Sequence, residues 1–235
     1  MAPALTAVLF DLDDTLADST GVEERIWHDV AAIIEQHFPA VDRTALRIRY
    51  LEALERWYPQ LAAGAIDMPT FRRSRLQDAL EPWGALTDEL VQAYTAEKAR
   101  IADELQVVPG AVEVLRLLRG RGVRVGILTN GPSEFQRRKL ASSRLGVEVD
   151  AIAISGELGV AKPEAEAFAG ALALLGADAA STAMVGDSLA NDVHGSIDAG
   201  LAAAVWLPGR QAGEPPRGAL VAGAVTEVPR LLGLE

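Results

Sequence analysis

Two textures of hydrophobic and polar positions divide this chain. Val8-Leu9-Phe10 is a short continuous apolar run, and it breaks off in Asp11-Leu12-Asp13-Asp14-Thr15-Leu16. A run this short and apolar predicts a buried strand. From about Val22 to about Leu105 the pattern is helical instead, with Ile26, Trp27, Val30, Ile33, Ile34 and Phe38 recurring near the helical period. Thr44 to Tyr58 repeats it with Leu46, Tyr50, Leu54 and Trp57, and Pro59, Gly64, Pro69, Pro82 and Gly84 divide the stretch into several helices.

Beyond Val107 strand and helix alternate. Pro109-Gly110 opens a helix through Leu118, followed by strands at Val123–Leu128, Ala151–Ile154, Thr182–Gly186 and Ala203–Leu207. Helices are expected between them, at about Glu134–Ser142, from Pro163 to Leu175 and at about Ala190–Ala199. Short apolar strands separated by helices predict a doubly wound, Rossmann-like parallel sheet covered on both faces. We therefore expect an α/β core made of residues 1–16 and 107–235, interrupted after its first strand by an all-α unit of residues 17–106. Parallel sheets bind ligands at the carboxyl ends of their strands, so the insert is placed to cover such a site.

Composition narrows the chemistry. The chain has 235 residues, is 49% hydrophobic and can bury a substantial core. Its 22 Lys and Arg stand against 33 Asp and Glu, a net charge of -11 that opposes docking on nucleic acid or on an anionic membrane. It has no cysteine, which excludes disulfides, thiolate metal sites and cysteine nucleophiles. Any metal must rest on oxygen or histidine. No apolar run approaches a membrane span and the first residues lack a basic leader, so a cytoplasmic protein is expected.

The predicted strands share one property: each of four ends in, or feeds, a chemically useful group. Asp11 and Asp13 follow the first strand, and their mutual repulsion calls for a bound cation or a proton. Thr129-Asn130-Gly131 follows the second, offering a hydroxyl and backbone N–H groups to an anion. Ser155-Gly156-Glu157-Leu158-Gly159-Val160-Ala161 delivers Lys162-Pro163, and Gly186-Asp187-Ser188 leads to Asp192. Each piece alone is an ordinary turn or helix start; their order, all at strand ends, is specific.

With that order the sequence resembles the haloacid dehalogenase-like hydrolase superfamily over essentially its whole length. Asp11-Leu12-Asp13-Asp14-Thr15 matches the first motif, Thr129 the second, Lys162 the third, and Gly186-Asp187-Ser188 with Asp192 the fourth. The insert is similar to the helical cap of one subgroup. The Phe-Asp-Leu-Asp-Asp-Thr-Leu wording, Thr-Asn-Gly and Ser-Gly-Glu-Leu-Gly resemble pyrimidine 5′-nucleotidase-like and N-acylneuraminate-9-phosphatase-like members.

The resemblance implies a phosphatase for a small phosphorylated metabolite such as a nucleoside monophosphate or sugar phosphate, acting as a monomer or homodimer. Asp11 would be the nucleophile that forms an aspartyl-phosphate, and Asp13 the acid and base, which requires its pKa to be shifted. Mg2+ would be held by Asp11, the Asp13 backbone carbonyl and Asp187, with Asp192 supporting the ion or its waters from behind. Thr129, the Asn130 N–H and Lys162 would hold the phosphoryl oxygens. An acid at Asp13 implies a phosphatase or phosphomutase and not a dehalogenase, whose halide leaves without a proton. Asp14, where many relatives have glycine, favours the phosphatase over the mutase; a phosphate-binding sensor without activity is the remaining alternative.

Other polar residues read as ordinary. Arg72 and Arg75 share a helix face, expected to be solvated, with contact to a second substrate charge as the alternative. Trp27 and His28 could line the cleft, or pack and face solvent respectively. His37 and His194 read as structural, and Asp18 and Ser19 as a turn and a helix cap.

Overall fold

The computed structural model describes residues 4–62, 64–209 and 212–235. Among them, six strands form one parallel sheet: β1 (Ala7–Phe10), β2 (Arg124–Thr129), β3 (Ala151–Ile154), β4 (Thr182–Gly186), β5 (Ala203–Trp206) and β6 (Leu220–Val221), in the order β3-β2-β1-β4-β5-β6. The chain leaves β1 on one side for β2 and β3, then crosses to the other side for β4. That reversal puts a crevice at the carboxyl end of β1, between two neighbours. The register sets Phe10 opposite both Ile127 and Val185, so β1, β2 and β4 end level with one another.

The sheet is buried on both faces, as the apolar runs require. Val8 and Phe10 point into one core with Val114, Leu118 and Leu140 from α5 (Ala111–Gly120) and α6 (Ser133–Ser143). Ala7 and Leu9 point into the other, with Phe168, Leu172 and Leu175 of α8 (Ala165–Leu175). This is the two-residue alternation of a strand. The two-residue edge strand β6, within the short run Ala219–Ala222, is not among the predicted strands.

The insert folds as α1 (Ser19–His37), α2 (Arg43–Ala62), α3 (Met68–Leu80) and α4 (Asp88–Asp103). They enclose a core of their own, with Ile26, Val30, Ile34, Leu46, Tyr50, Leu76, Leu90 and Tyr94 buried in it. Pro59 does not end a helix: it lies inside α2, on an exposed turn three residues from its end, where losing one backbone hydrogen bond to solvent costs little. The two passages between insert and sheet run side by side. Ala17 pairs with Val107, Asp18 N–H donates to the Gln106 carbonyl at 2.8 Å, and Val108 N–H to that of Leu16 at 2.9 Å. No helix among the described residues is long and apolar enough to cross a membrane.

The predicted helix at Pro163 begins two residues later. Lys162 and Pro163 are joined by a cis peptide in a turn closed by Glu164 N–H on the Ala161 carbonyl. Asn130 occupies both backbone groups of Lys162, so helix α8 starts only at Ala165. The expected helix near Ala190 opens as a wide π-turn over Leu189–His194 and continues as α9 (Gly195–Asp198).

Candidate active site

At the end of β1 the chain leaves the sheet as Asp11, whose N–H donates to the Val185 carbonyl at 2.9 Å. Lys162 reaches it from the loop after α7 (Ser155–Leu158): Nζ lies 2.6 Å from Asp11 Oδ1 and 2.6 Å from Asp192 Oδ1. The Lys162 side chain is only 3% exposed, and the Asp192 side chain 1%. The lysine is aimed by its backbone: Asn130 Oδ1 accepts from Lys162 N–H and Asn130 Nδ2 donates to the Lys162 carbonyl, both at 2.9 Å. The Asn130 side chain thus couples the end of β2 to the lysine.

Gly186 explains the glycine of Gly-Asp-Ser. A Cβ there would fall inside the Asp192 carboxylate, which folds back over the end of β4 and accepts from Ser188 N–H at 2.9 Å. Asp14 has a left-handed backbone, φ 58°, the conformation in which glycine is least strained and aspartate is tolerated. Its carboxylate accepts from Thr20 N–H at 2.8 Å and from the Thr20 hydroxyl, which fixes the entry to α1.

Asp11 and Asp13 lie near each other but answer to different partners. Asp13 receives Lys139 Nζ at 2.6 Å, Gln136 Nε2 at 2.9 Å and the Ser19 hydroxyl. Gln136 Nε2 also lies 2.5 Å from Thr129 Oγ1. Sequence reasoning missed Gln136, Lys139 and the second role of Ser19. The available signal was spacing: Gln136 and Lys139 are three apart in the helix after β2, hence on one face of it. Asp18 is the cap expected, accepting from Gly21 N–H at 2.9 Å.

Electrostatics separate the carboxylates. Burial, with Asp192 and Asp13 nearby, pushes the Asp11 carboxyl well above the usual range despite Lys162. Burial also opposes the charge on Asp13, but the Lys139 ammonium and the hydrogen bonds from Lys139, Ser19 and Gln136 outweigh it and hold the group below its usual value. Asp187 is pushed up to about 7 by burial, Asp192 and Asp14. Lys162 is held protonated: burial works against its charge, and Asp11 and Asp192 prevail.

Asp11, Asp187 and Asp192 each offer a carboxylate oxygen, all within 4.8 Å of one another. One lysine among three crowded carboxylates leaves an excess of negative charge that a hard divalent cation would neutralise. The donor set, all oxygen, fits Mg2+. Asp192 is one of the three, and its two oxygens also accept from Lys162 Nζ and from Ser188 N–H.

Above Asp13, a cavity of about 330 Å³ runs between the sheet and helices α1 to α4. Asp13, Asn130 and Lys139 line it from the sheet side, and Glu23, Arg72, Arg75 and Lys98 from helices α1, α3 and α4. The expectation of a solvated Arg72–Arg75 face is corrected here. Arg75 is 3% exposed, its guanidinium lies 3.6 Å from the centre of the Tyr50 ring, and Nε donates to the Tyr50 carbonyl at 3.1 Å. Arg72 is half-buried. Helix α3 packs against both α2 and α4, which covers a face that looks solvated in sequence. Trp27 packs against Tyr50 with Arg47 over its ring, and His28 faces solvent. Among the described residues His37 bonds only within its own helix, and His194 is exposed.

A family model described as haloacid dehalogenase-like hydrolase matches residues 5–200. A phosphoserine phosphatase of Thermus thermophilus is 33% identical over 222 residues, covering 85% of this chain and 87% of its own. The N-acylneuraminate-9-phosphatase of Rattus norvegicus is 28% identical, covering 96% and 93%. A magnesium-bound HAD-hydrolase of Bacillus subtilis superposes with a TM-score of 0.77 over 98% of this chain and all of its own; at 23% identity that likeness shows the fold. The chain belongs to the haloacid dehalogenase-like hydrolase family.

Proposed function

We propose that this hydrolase removes the phosphoryl group from a small phosphomonoester through a covalent intermediate on Asp11, with Mg2+ as its cofactor. It is a phosphoric monoester hydrolase; its curated relatives from Thermus thermophilus and Rattus norvegicus are phosphatases. The observation that carries the reading is the convergence of Asp11, Lys162, Asp187 and Asp192 beyond the carboxyl ends of β1 and β4, with Asp13, two residues from Asp11, lining a cavity.

A carboxylate oxygen of Asp11 forms a bond to phosphorus as the ester P–O bond breaks, and the leaving oxygen takes a proton from Asp13. Water then attacks the phosphorus of the aspartyl-phosphate and gives its proton to Asp13. The Asp11–phosphorus bond breaks, and inorganic phosphate and the Asp11 carboxylate are regenerated. Lys162 and the hydroxyl of Thr129 hold the equatorial oxygens, where charge is spread as phosphorus changes partners. Asp11, Asp187 and the Asp13 backbone carbonyl would ligate the ion, with Asp192 joining them or orienting its waters. When bound, the ion supplies the positive charge that lets a phosphoryl dianion approach Asp11.

Asp13 serves two roles in two arrangements. Held by Lys139, Gln136 and Ser19 it is a carboxylate, ready to accept the proton of water. Turned into the cavity and away from Lys139, it carries the proton to the leaving group. Helices α1 to α4 act as the cap over this step, closing about the paired passages at Ala17 and Val107 to exclude bulk water.

The test is release of inorganic phosphate from a set of phosphomonoesters with Mg2+ and after chelation. We expect turnover that needs the metal and is absent from Asp11→Asn. Full activity in either condition, or phosphate appearing on a second alcohol in place of free phosphate, would contradict the reading.

A further inference from the structure

The cavity at Asp13 takes charged residues from the sheet and from the helices, and the two sets differ in their balance of charge. On the sheet side Asp13 and Lys139 balance, 2.6 Å apart. On the helical side Arg72, Arg75 and Lys98 stand against one carboxylate, that of Glu23. Lys98 Nζ lies 2.5 Å from Glu23 Oε1 and an Arg75 nitrogen 3.9 Å from it, so Glu23 is already shared between two cations. Arg75 is further engaged by the Tyr50 ring and carbonyl. Among the described residues Arg72 makes no ion pair and no hydrogen bond; its guanidinium carbon lies 5.9 Å from the centre of the Phe135 ring, and the Glu134 carboxylate acts on it only through space.

A guanidinium taken partly out of water, without an anion beside it, sits at a cost that a bound anion removes. Burial lowers the pKa of Arg72 and outweighs the pull of Glu134, which agrees with a charge that has lost hydration without gaining an ion-pair partner. Arg72 lines the same cavity as Asp13, together with apolar side chains that include Leu54 and Phe71.

We propose that Arg72, with Arg75 behind it, binds a carboxylate on the alcohol portion of the substrate, so that the enzyme acts on phosphorylated organic acids. The proposal rests on the phosphatase reading above. The phosphoryl group lies at Asp11, the carboxylate at Arg72, and the carbon frame between them against Leu54 and Phe71. A single guanidinium presents one bidentate fork, which a planar, singly charged carboxylate saturates, whereas a second phosphate dianion would call for more donors than Arg72 supplies. An ammonium group gains nothing here, because Lys98 and Arg75 already occupy Glu23.

Two substrates that differ only in this feature test it: 3-phosphoglycerate and glycerol 3-phosphate, in which a carboxylate replaces a hydroxymethyl group. We expect kcat/KM to favour 3-phosphoglycerate by at least about tenfold in the unmodified enzyme, and Arg72→Met to reduce that ratio by about 10- to 100-fold, the range for loss of a charge-assisted bidentate pair. The ratio compares two substrates on one preparation, so a general loss of activity cancels. Arg72→Lys should retain part of the preference, and replaces the methionine variant should that one not accumulate. A ratio near one in the unmodified enzyme, or a ratio that either neutral or conservative replacement leaves unchanged where a loss or a partial loss is expected, overturns the proposal. Hydrolysis of p-nitrophenyl phosphate by the unmodified enzyme, absent in Asp11→Asn, keeps the phosphatase reading separate; if that hydrolysis is missing, it is the phosphatase reading that fails.

Discussion

Replacing Asp187 by asparagine should stabilise the metal-free protein at alkaline pH, although it removes a proposed metal ligand. In the fold this carboxyl titrates at about 7, against an ordinary 3.8, because it is partly buried beside Asp192 and Asp14. A carboxyl whose folded pKa is raised contributes stability below its unfolded value, and that contribution is lost as pH rises through the folded one. The window therefore runs from pH 3.8 to about 7. Three pH units correspond to a ceiling of about 4 kcal/mol; partial exposure of Asp187 and sharing of charge with its neighbours reduce this to about 1–2 kcal/mol.

Asparagine keeps the shape and removes the charge, so the variant should escape this loss. Urea unfolding with a chelator at pH 5 and pH 8 measures it. Relative to the unmodified protein, Asp187→Asn should gain about 1–2 kcal/mol on going from the lower pH to the higher. Magnesium should reverse the order, adding about 2.7 kcal/mol to the unmodified protein at a hundredfold excess over Kd and much less to the variant. An equal effect of the substitution at both pH values would refute the crowding of charge. Equal stabilisation of both proteins by magnesium would refute Asp187 as a ligand.

Three further outcomes follow from the geometry. Gly186→Ala forces the Asp192 carboxylate off Lys162, and should cost about 2–4 kcal/mol by thermal unfolding and lower kcat at least about tenfold, since overpacking and a broken buried ion pair combine. Asn130→Ala removes two hydrogen bonds from the Lys162 backbone; it should cost about 1–3 kcal/mol and lower kcat/KM by a common factor on every phosphomonoester, because Lys162 serves the group they share. Burial opposes the Glu23 charge, but Lys98 and Arg75 hold its carboxyl below the ordinary value, so it contributes stability above about pH 4.5 that is lost as pH falls through its depressed pKa. Glu23→Gln should therefore cost about 1–2 kcal/mol at pH 7, discounted for the 37% exposure of the side chain, and the difference should shrink as pH falls through the depressed pKa.

The strand ends were legible because buried parallel strands must be continuous apolar runs, and the groups that follow such runs meet wherever neighbouring strands end level. Asp11, Thr129 and Asp187 needed little more than that. Lys162 was legible only in company: it comes from a loop beyond β3, and Asn130 brings it to Asp11. Gln136 and Lys139 carried only their three-residue spacing, since glutamine and lysine in a helix are ordinary and only the packing of α6 beside Asp13 gives them a task. The direction of the Asp13 pKa was hidden for the same reason. Arg75 looked like one edge of a solvated helix face, but α2 and α4 flank α3, and the Tyr50 ring covers its charge. Such arrangements depend on how whole helices meet, which the periodicity of each helix does not encode.

The central claim, covalent transfer to Asp11, is tested most directly by trapping the intermediate. The enzyme is mixed with radiolabelled phosphomonoester and Mg2+, quenched in acid within one turnover, digested, and its peptides are read by mass spectrometry. The account predicts one phosphoryl group on the peptide that contains Asp11, labile to hydroxylamine and missing from Asp11→Asn. Label on another residue, or complete release of phosphate by a competent enzyme with no labelled peptide at any quench time and with inversion at phosphorus in a chiral substrate, would contradict it.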